Sequence, residues 1–148
     1  MEIEFHVPGP PQGKARPRLC QIRGRNIVYT PIQTVKYEKL IKECYQAVTD
    51  FKFPKGEPVY IIMVARFPVP KSTSKKEKEK MLSREIFPAK KPDVDNIAKA
   101  VLDALNGVAF HDDAQVCAVG CQKIYSEFPG INVSVYDKQG YCEYTDSI

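Results

Sequence analysis

Five of the chain's eight aspartates fall between positions 93 and 113: Asp93, Asp95, Asp103, Asp112 and Asp113. Carboxylates held close together repel, so a site that keeps several of them requires a cation or a protonated member. Mg²⁺ suits such a group because it takes one or two protein carboxylates, keeps its waters and binds phosphate oxygens. It can then activate water and stabilise a leaving oxygen. Lys99, beside the acids, could stabilise charge on a pentavalent phosphorus or supply a proton to the leaving group. Asp93, Asp95, Asp113 and Asp112 are therefore the candidate metal ligands, and Lys99 the candidate cationic partner.

Each acid also has a plain structural reading. Asp95 could be only a helix cap, Asp95, Lys99 and Asp103 only i, i+4 surface pairs, and Asp112-Asp113 only a turn. Taken singly, each aspartate favours that reading. It does not explain why acids gather where a helix begins and again where the next strand begins. A lone Asp-x-Asp is weak, since phosphatases and glycosyltransferases use it too. The phosphatase version follows a hydrophobic strand and needs a hydroxyl residue where this chain has Ile97. Glycosyltransferases of that type are usually longer.

The elements that must position these residues follow from periodicity. Val94, Ile97, Ala98, Val101, Leu102 and Leu105 keep the i, i+3, i+4, i+7 pattern of an amphipathic helix, and Gly107 sits where a helix stops. Pro92 favours an extended residue before it. In extended chain i and i+2 share a side, so Asp93 and Asp95 are expected to enter that helix facing one way. Asp112 and Asp113 are expected to return to the same end of the sheet. Upstream, residues 2–7 alternate as a strand ended by Pro8-Gly9-Pro10-Pro11. A basic loop with Lys14, Arg16, Arg18, Arg23 and Arg25 leads to a short strand at 26–30. A helix from Thr34 to about Asp50 follows, then an apolar strand at 59–67 of the kind buried in a sheet. A Lys-rich stretch with Lys71, Lys75, Lys76, Lys78 and Lys80 surrounds a short helix. Strands near 114–125 and 131–136 close the fold, and residues 137–148 read as a loose tail. The pattern predicts a single α+β domain over 1–148, with a sheet of four or five strands and helices packed on it.

Charge divides unevenly. Residues 1–92 carry 19 Lys and Arg against 9 Asp and Glu, whereas residues 93–148 carry 3 against 9. A basic part that attracts a polyanion beside an acidic part that holds a cation is what a phosphodiester enzyme needs. Two solvated faces of opposite sign would give the same count. On the first reading Lys14, Arg16, Arg18, Lys75 and Lys76 are the candidate DNA contacts. No apolar run approaches the length of a membrane span, and the N-terminus lacks the pattern of a signal peptide. Five cysteines with no Cys-x-x-Cys pair fit buried free thiols. A cytoplasmic protein is expected.

Lys91-Pro92-Asp93-Val94-Asp95-Asn96, Lys99, Val101-Leu102-Asp103-Ala104-Leu105-Asn106-Gly107 and Asp112-Asp113-Ala114-Gln115-Val116, in that order and spacing, resemble the signature of the RusA family of Holliday junction resolvases. The segment Pro8 to Arg18, the stretch Tyr29-Thr30-Pro31 with Thr34 and Tyr37-Glu38, and the lysines after Phe67-Pro68 are similar too. The resemblance covers about residues 3–136. It implies catalytic roles for Asp93, Asp95, Asp113 and Lys99, and a Mg²⁺ requirement that Mn²⁺ can meet. It also implies a symmetric homodimer and paired nicks across a four-way DNA junction, in bacteria or their phages. The apolar strand at 59–67 and the N-terminal strand are the candidate dimer surfaces.

Two other readings stand beside it: a Mg²⁺ nuclease for other branched or flapped DNA, and a DNA-binding protein whose acids only cap a helix. His111, next to Asp112, reads as a loop histidine more readily than as a proton shuttle. His6 reads as structural. Tyr37, Tyr45, Tyr60 and Phe67 read as core; Tyr29, near the basic loop, is a better candidate to meet a nucleotide than these, though the plain structural reading is favoured for it too.

Overall fold

Ile3, Phe5 and Val7 alternate with Glu2, Glu4 and His6, and this period of two makes the first strand, β1 (Glu2–Pro8), with its odd residues buried. In the computed structural model, which describes residues 1–148, β1 is followed by β2 (Arg18–Ile22), β3 (Arg25–Tyr29) and α1 (Ile32–Val48). Then come β4 (Val59–Pro68), α2 (Lys75–Leu82), α3 (Val94–Leu105), a 3-10 turn (Asp113–Gln115), β5 (Val116–Ser126), β6 (Gly130–Tyr136) and α4 (Lys138–Ser147).

Four strands form one mixed sheet in the order β1-β6-β4-β5. The β1–β6 and β6–β4 pairs are antiparallel, whereas β4 and β5 run parallel from Val59↔Val116 to Pro68↔Ser126. Parallel neighbours need a long crossover, and here it carries α2 and α3. The α+β class and the strand number agree with the sequence reading. The hairpin of β2 and β3 forms a separate two-stranded sheet. Its first strand lies where the sequence predicted loop. β4 sits between β6 and β5, so its backbone is paired on both sides. That removes it as a surface for strand pairing between chains and leaves β1 and β5 as the sheet's edges.

α1 and α3 cover one face of the sheet. α1 buries Tyr37, Ile41 and Tyr45, and α3 buries Ile97, Ala100, Val101, Ala104 and Leu105. They pack on Phe5, Val7, Ile61, Met63, Ala65, Val133 and Val135. Each large aliphatic or aromatic side chain removed from water contributes about 1.5–3 kcal/mol, which is what holds α3 in register on the sheet.

The expectation of a loose tail at 137–148 is corrected by α4. Asp137 caps it, accepting from the Gly140 backbone N–H at 2.8 Å and from the Met1 ammonium at 2.9 Å. Tyr141 then stacks on Tyr60, with ring centroids 4.3 Å apart and planes 6° from parallel. Tyr60 points away from Val59 and Ile61, so α4 covers the sheet face opposite α1 and α3. Tyrosines supply its anchoring in place of an aliphatic stripe.

Candidate active site

Asp93 is the N-cap of α3, extended at φ −71° and ψ 152°. Its carbonyl accepts from the Ile97 N–H at 3.0 Å, but its carboxylate makes no capping bond. Most aspartates at an N-cap satisfy a backbone donor with the side chain; this one leaves both oxygens free. Asp95 lies in the first helical turn and is exposed. The partial positive charge of a helix N-terminus favours anions at both positions. Because Val94 and Asp95 are already helical, the expected extended Asp-x-Asp lead ends at Asp93.

The proline-rich segment is fastened to this helix start. The Lys14 N–H donates to the Asn96 carbonyl at 2.9 Å, and the Ala15 N–H to Thr34 Oγ1 of α1 at 3.3 Å. Gly13 packs so closely that a Cβ there would stand 2.9 Å from Asn96 Cβ and 3.0 Å from Pro92 Cβ. Between segment and helix runs an open groove of about 450 Å³ whose lining includes Lys14, Arg18, Lys91, Asp93 and Asn96. Arg16 and Arg18 are exposed beside it, and Lys75 and Lys76 are exposed on α2.

Lys14 departs from the sequence reading. Its ammonium turns inward, 2.5 Å from Glu38 Oε1 and 3.2 Å from Asp103 Oδ2. Burial works against its charge, but the two carboxylates outweigh it and raise the pKa above the usual lysine value. Two acids already engage this cation, which holds the segment in place. Asp103 is thereby a structural acid, which also accepts from Lys99 Nζ at 3.0 Å through Oδ1.

Asp112 and Asp113 stand elsewhere. The Phe53 N–H donates to the Ala109 carbonyl at 2.7 Å, and Gln115 Nε2 donates to the carbonyls of Pro54 and Glu57 at 2.8 and 3.0 Å. Gln115 Oε1 meanwhile accepts from the His111 and Asp112 N–H groups. These bonds pin residues 109–115 to the start of β4. Asp112 caps the 3-10 turn, its Oδ1 accepting from the Ala114 N–H at 3.0 Å. That N–H, and then the neighbouring Asp113, hold the Asp112 carboxyl below its ordinary value. Asp113 opens the turn, half-buried. His111 lies in a second cleft with Lys55 and Asp112. His6 is within hydrogen-bond distance of Asn132 and Arg66, at 2.9 and 2.8 Å, as a structural histidine would be. Gln115 entered the sequence analysis only as a position of the family resemblance, without a role, since nothing there marks one polar residue beside a strand as buried.

The two acidic groups therefore occupy opposite ends of α3. Twelve helical residues at 1.5 Å each span about 18 Å. Lys123, well along β5, donates to the Lys90 carbonyl, whereas Asp113 precedes the first residue of β5. The expected return of Asp112 and Asp113 to the Asp93 end is thus corrected: Gln115 anchors them at the other. Within one chain no three Asp, Glu, His or Cys side chains converge on a point that could hold a metal. The donor set at the α3 start still fits Mg²⁺. It offers two carboxylates, all oxygen and free of internal bonds, which leaves coordination positions for water and phosphate.

Residues 8–136 match the family model described as endodeoxyribonuclease RusA, which defines the class as a DNA-cutting enzyme. The chain belongs to the RusA family. It is also similar to the uncharacterized protein YqaN of Bacillus subtilis (strain 168), at 35% identity over 138 residues covering 90% of this chain and 94% of that one. No helix is long and apolar enough to cross a membrane.

Proposed function

We propose that this nuclease is a Mg²⁺-dependent resolvase that makes paired symmetric nicks in four-way DNA junctions as a homodimer. Mn²⁺ would serve in place of Mg²⁺, and the setting would be the cytoplasm of a bacterium or phage-infected cell. The observation that carries the reading is Asp93: it caps α3 without using its carboxylate, at the wall of a groove bordered by Arg16 and Arg18. Asp93 and Asp95 would hold the ion, and Asp113 would complete its ligand set. When bound, Mg²⁺ lowers the pKa of a water and offsets charge on the scissile phosphate. The chain's own residues do the rest. Arg16 and Arg18 hold flanking phosphates, with Lys75 and Lys76 extending the contact. Lys99, steadied by Asp103, supplies positive charge to the phosphoryl oxygens or a proton to the leaving oxygen.

The separation of the acids supports the dimer. β5 is an edge strand with one side of its backbone unpaired. Antiparallel pairing of two β5 strands would set the Asp113 end of one chain against the partner's Lys123 end, where that chain's α3 begins. Each site would then draw Asp93 and Asp95 from one chain and Asp113 from the other. Two sites related by a twofold axis match the pseudo-twofold symmetry of a four-way junction.

The test compares cleavage of a four-way junction, linear duplex, flap and single strand, each with Mg²⁺ or EDTA. Metal-dependent, paired cleavage of the junction in preference to the others is expected. Equal cutting of the flap would favour the broader reading of a nuclease for branched DNA. Activity in EDTA would refute the metal mechanism.

A further inference from the structure

The hairpin of β2 and β3 is the part of the molecule whose side chains are least covered. Leu19 is 68% exposed and Val28 65%, and Ile22, Ile27 and Tyr29 are exposed as well. The hairpin pairs with no strand of the main sheet, and a two-stranded hairpin alone in water is marginal at best. Its register sets Leu19 opposite Val28 on one face, with Cys20 opposite Ile27 on the other. Arg18 faces Tyr29 and Arg25 faces Ile22, so a guanidinium stands at each end of the second face. The connecting residues Arg23 and Gly24 both have positive φ, 52° and 72°. That is the pattern of the tight hairpin turn whose twist suits paired strands. Glycine takes that conformation freely and arginine does not. The turn nevertheless places an arginine there, which puts a third cation of the arm at its apex.

The charge of this arm selects its occupant. From residue 14 to residue 30 there are five cations and no acid. Two such arms would repel each other, which disfavours a clasp between copies. A polyanion with apolar surface to offer satisfies both features, and DNA with unpaired bases is one. A two-stranded ribbon also matches the major groove, about 12 Å wide. The root of the arm, at Arg18 and Pro31, lines the same groove as Asp93. DNA whose phosphate reaches Asp93 must therefore pass the arm.

We propose that the β2–β3 arm is a wedge that enters the branch point of the DNA, with Leu19 and Val28 against unstacked bases and Arg18, Arg23 and Arg25 on flanking phosphates. Apolar side chains between base steps unstack them in this way. The proposal rests on the reading of the chain as a nuclease of branched DNA.

The test uses the full-length chain and a junction carrying 2-aminopurine at the branch point, in EDTA to prevent cutting. Wild type should raise the fluorescence as bases unstack. The variant Leu19→Ser/Val28→Ser removes only exposed groups, so its folding should be unchanged, which circular dichroism checks. It should lose most of the fluorescence rise and about tenfold in junction affinity, the worth of one stacking contact, while linear duplex affinity stays within about twofold. Arg23→Gly, which relieves the turn, should weaken junction binding without loss of stability. Equal fluorescence from wild type and variant overturns the wedge. So does an equal loss on junction and duplex, or dissociation of the variant to monomers, which would make the arm a dimer contact. If wild type binds junction no better than duplex, the junction reading itself fails, an outcome visible before any variant is made.

Discussion

Lys14 reaches across to Asp103, its ammonium 3.2 Å from Oδ2, and so ties the proline-rich segment to α3 two turns beyond Asp95. Glu38 of α1 holds the same ammonium. Lys14→Met leaves Glu38 without a cation and Asp103 with only the exposed Lys99. The loss is expected to be about 1–3 kcal/mol, below that of a fully buried pair because water still screens the site. Arg16→Gln, on the exposed side, should stay within about 0.5 kcal/mol of wild type. Urea denaturation measures both, and a Lys14→Met protein as stable as Arg16→Gln would mean that the inward ion pair contributes nothing.

Salt dependence separates the cations that meet phosphate from those that do not. Replacing Arg16 and Arg18 by Gln should flatten the log–log salt slope of junction binding by up to about 0.9 per lost contact. Lys14→Gln should leave the slope unaltered. A slope that responds to Lys14 but not to the arginines would reverse the assignment.

Asp93→Asn, Asp95→Asn and Asp113→Asn should each abolish cleavage while leaving the thermal midpoint nearly unchanged, since none of the three belongs to the core. Asp93→Asn should also weaken Mg²⁺ binding measured by calorimetry on the dimer. Mixing Asp95→Asn chains with Asp113→Asn chains tests whether sites are shared. In a shared arrangement one site of each mixed dimer carries both substitutions and the other carries none, so single-strand nicking returns. Sites contained within one chain would leave the mixture dead. A protein that sediments as a monomer while making both nicks in one encounter would remove the dimer altogether.

Much of the scaffold was legible because its signals are local. Ile97, Val101 and Leu105 recur at the helical period before Gly107, and Ile3, Phe5 and Val7 at the strand period, so the sequence alone announced α3 and β1. What carries Asp112 and Asp113 away from Asp93 is Gln115, which binds carbonyls at positions 54 and 57. No pattern in a short window encodes a bond of that span. Lys14 misled for a similar reason: a lysine in a basic loop reads as solvent-facing until partners at 38 and 103 are seen. α4 escaped notice because Tyr141 and Tyr144 form no aliphatic stripe, and their partners Tyr60 and Tyr136 lie on other elements.

Stability should depend on pH through Asp137. The Gly140 N–H, then the Met1 ammonium, hold its carboxyl below the ordinary value. A carboxyl depressed in the folded state adds stability above its unfolded value, near 3.9, and loses that contribution as pH falls through the folded one. Asp137→Ala should therefore cost about 0.5–2 kcal/mol at neutral pH, the usual worth of such a cap. Its deficit against wild type should shrink below about pH 4. A deficit independent of pH would assign the loss to packing of α4.

The pairing of β1 with β6 has a consequence for synthesis. The Tyr136 hydroxyl donates to Glu2 Oε1 across 134 positions of sequence, and β6 also separates β1 from β4. On the ribosome β1 is made well before β6, and no other strand pairs with it until β6 has left the exit tunnel. The sheet then closes late, by contacts that are costly in loop entropy. Nascent chains stalled before residue 130 should be cut readily by protease, whereas the released chain resists. Until β6 is made the sheet lacks the strand that joins β1 to β4, so a partial copy of this nuclease has no complete scaffold on which to hold its acids.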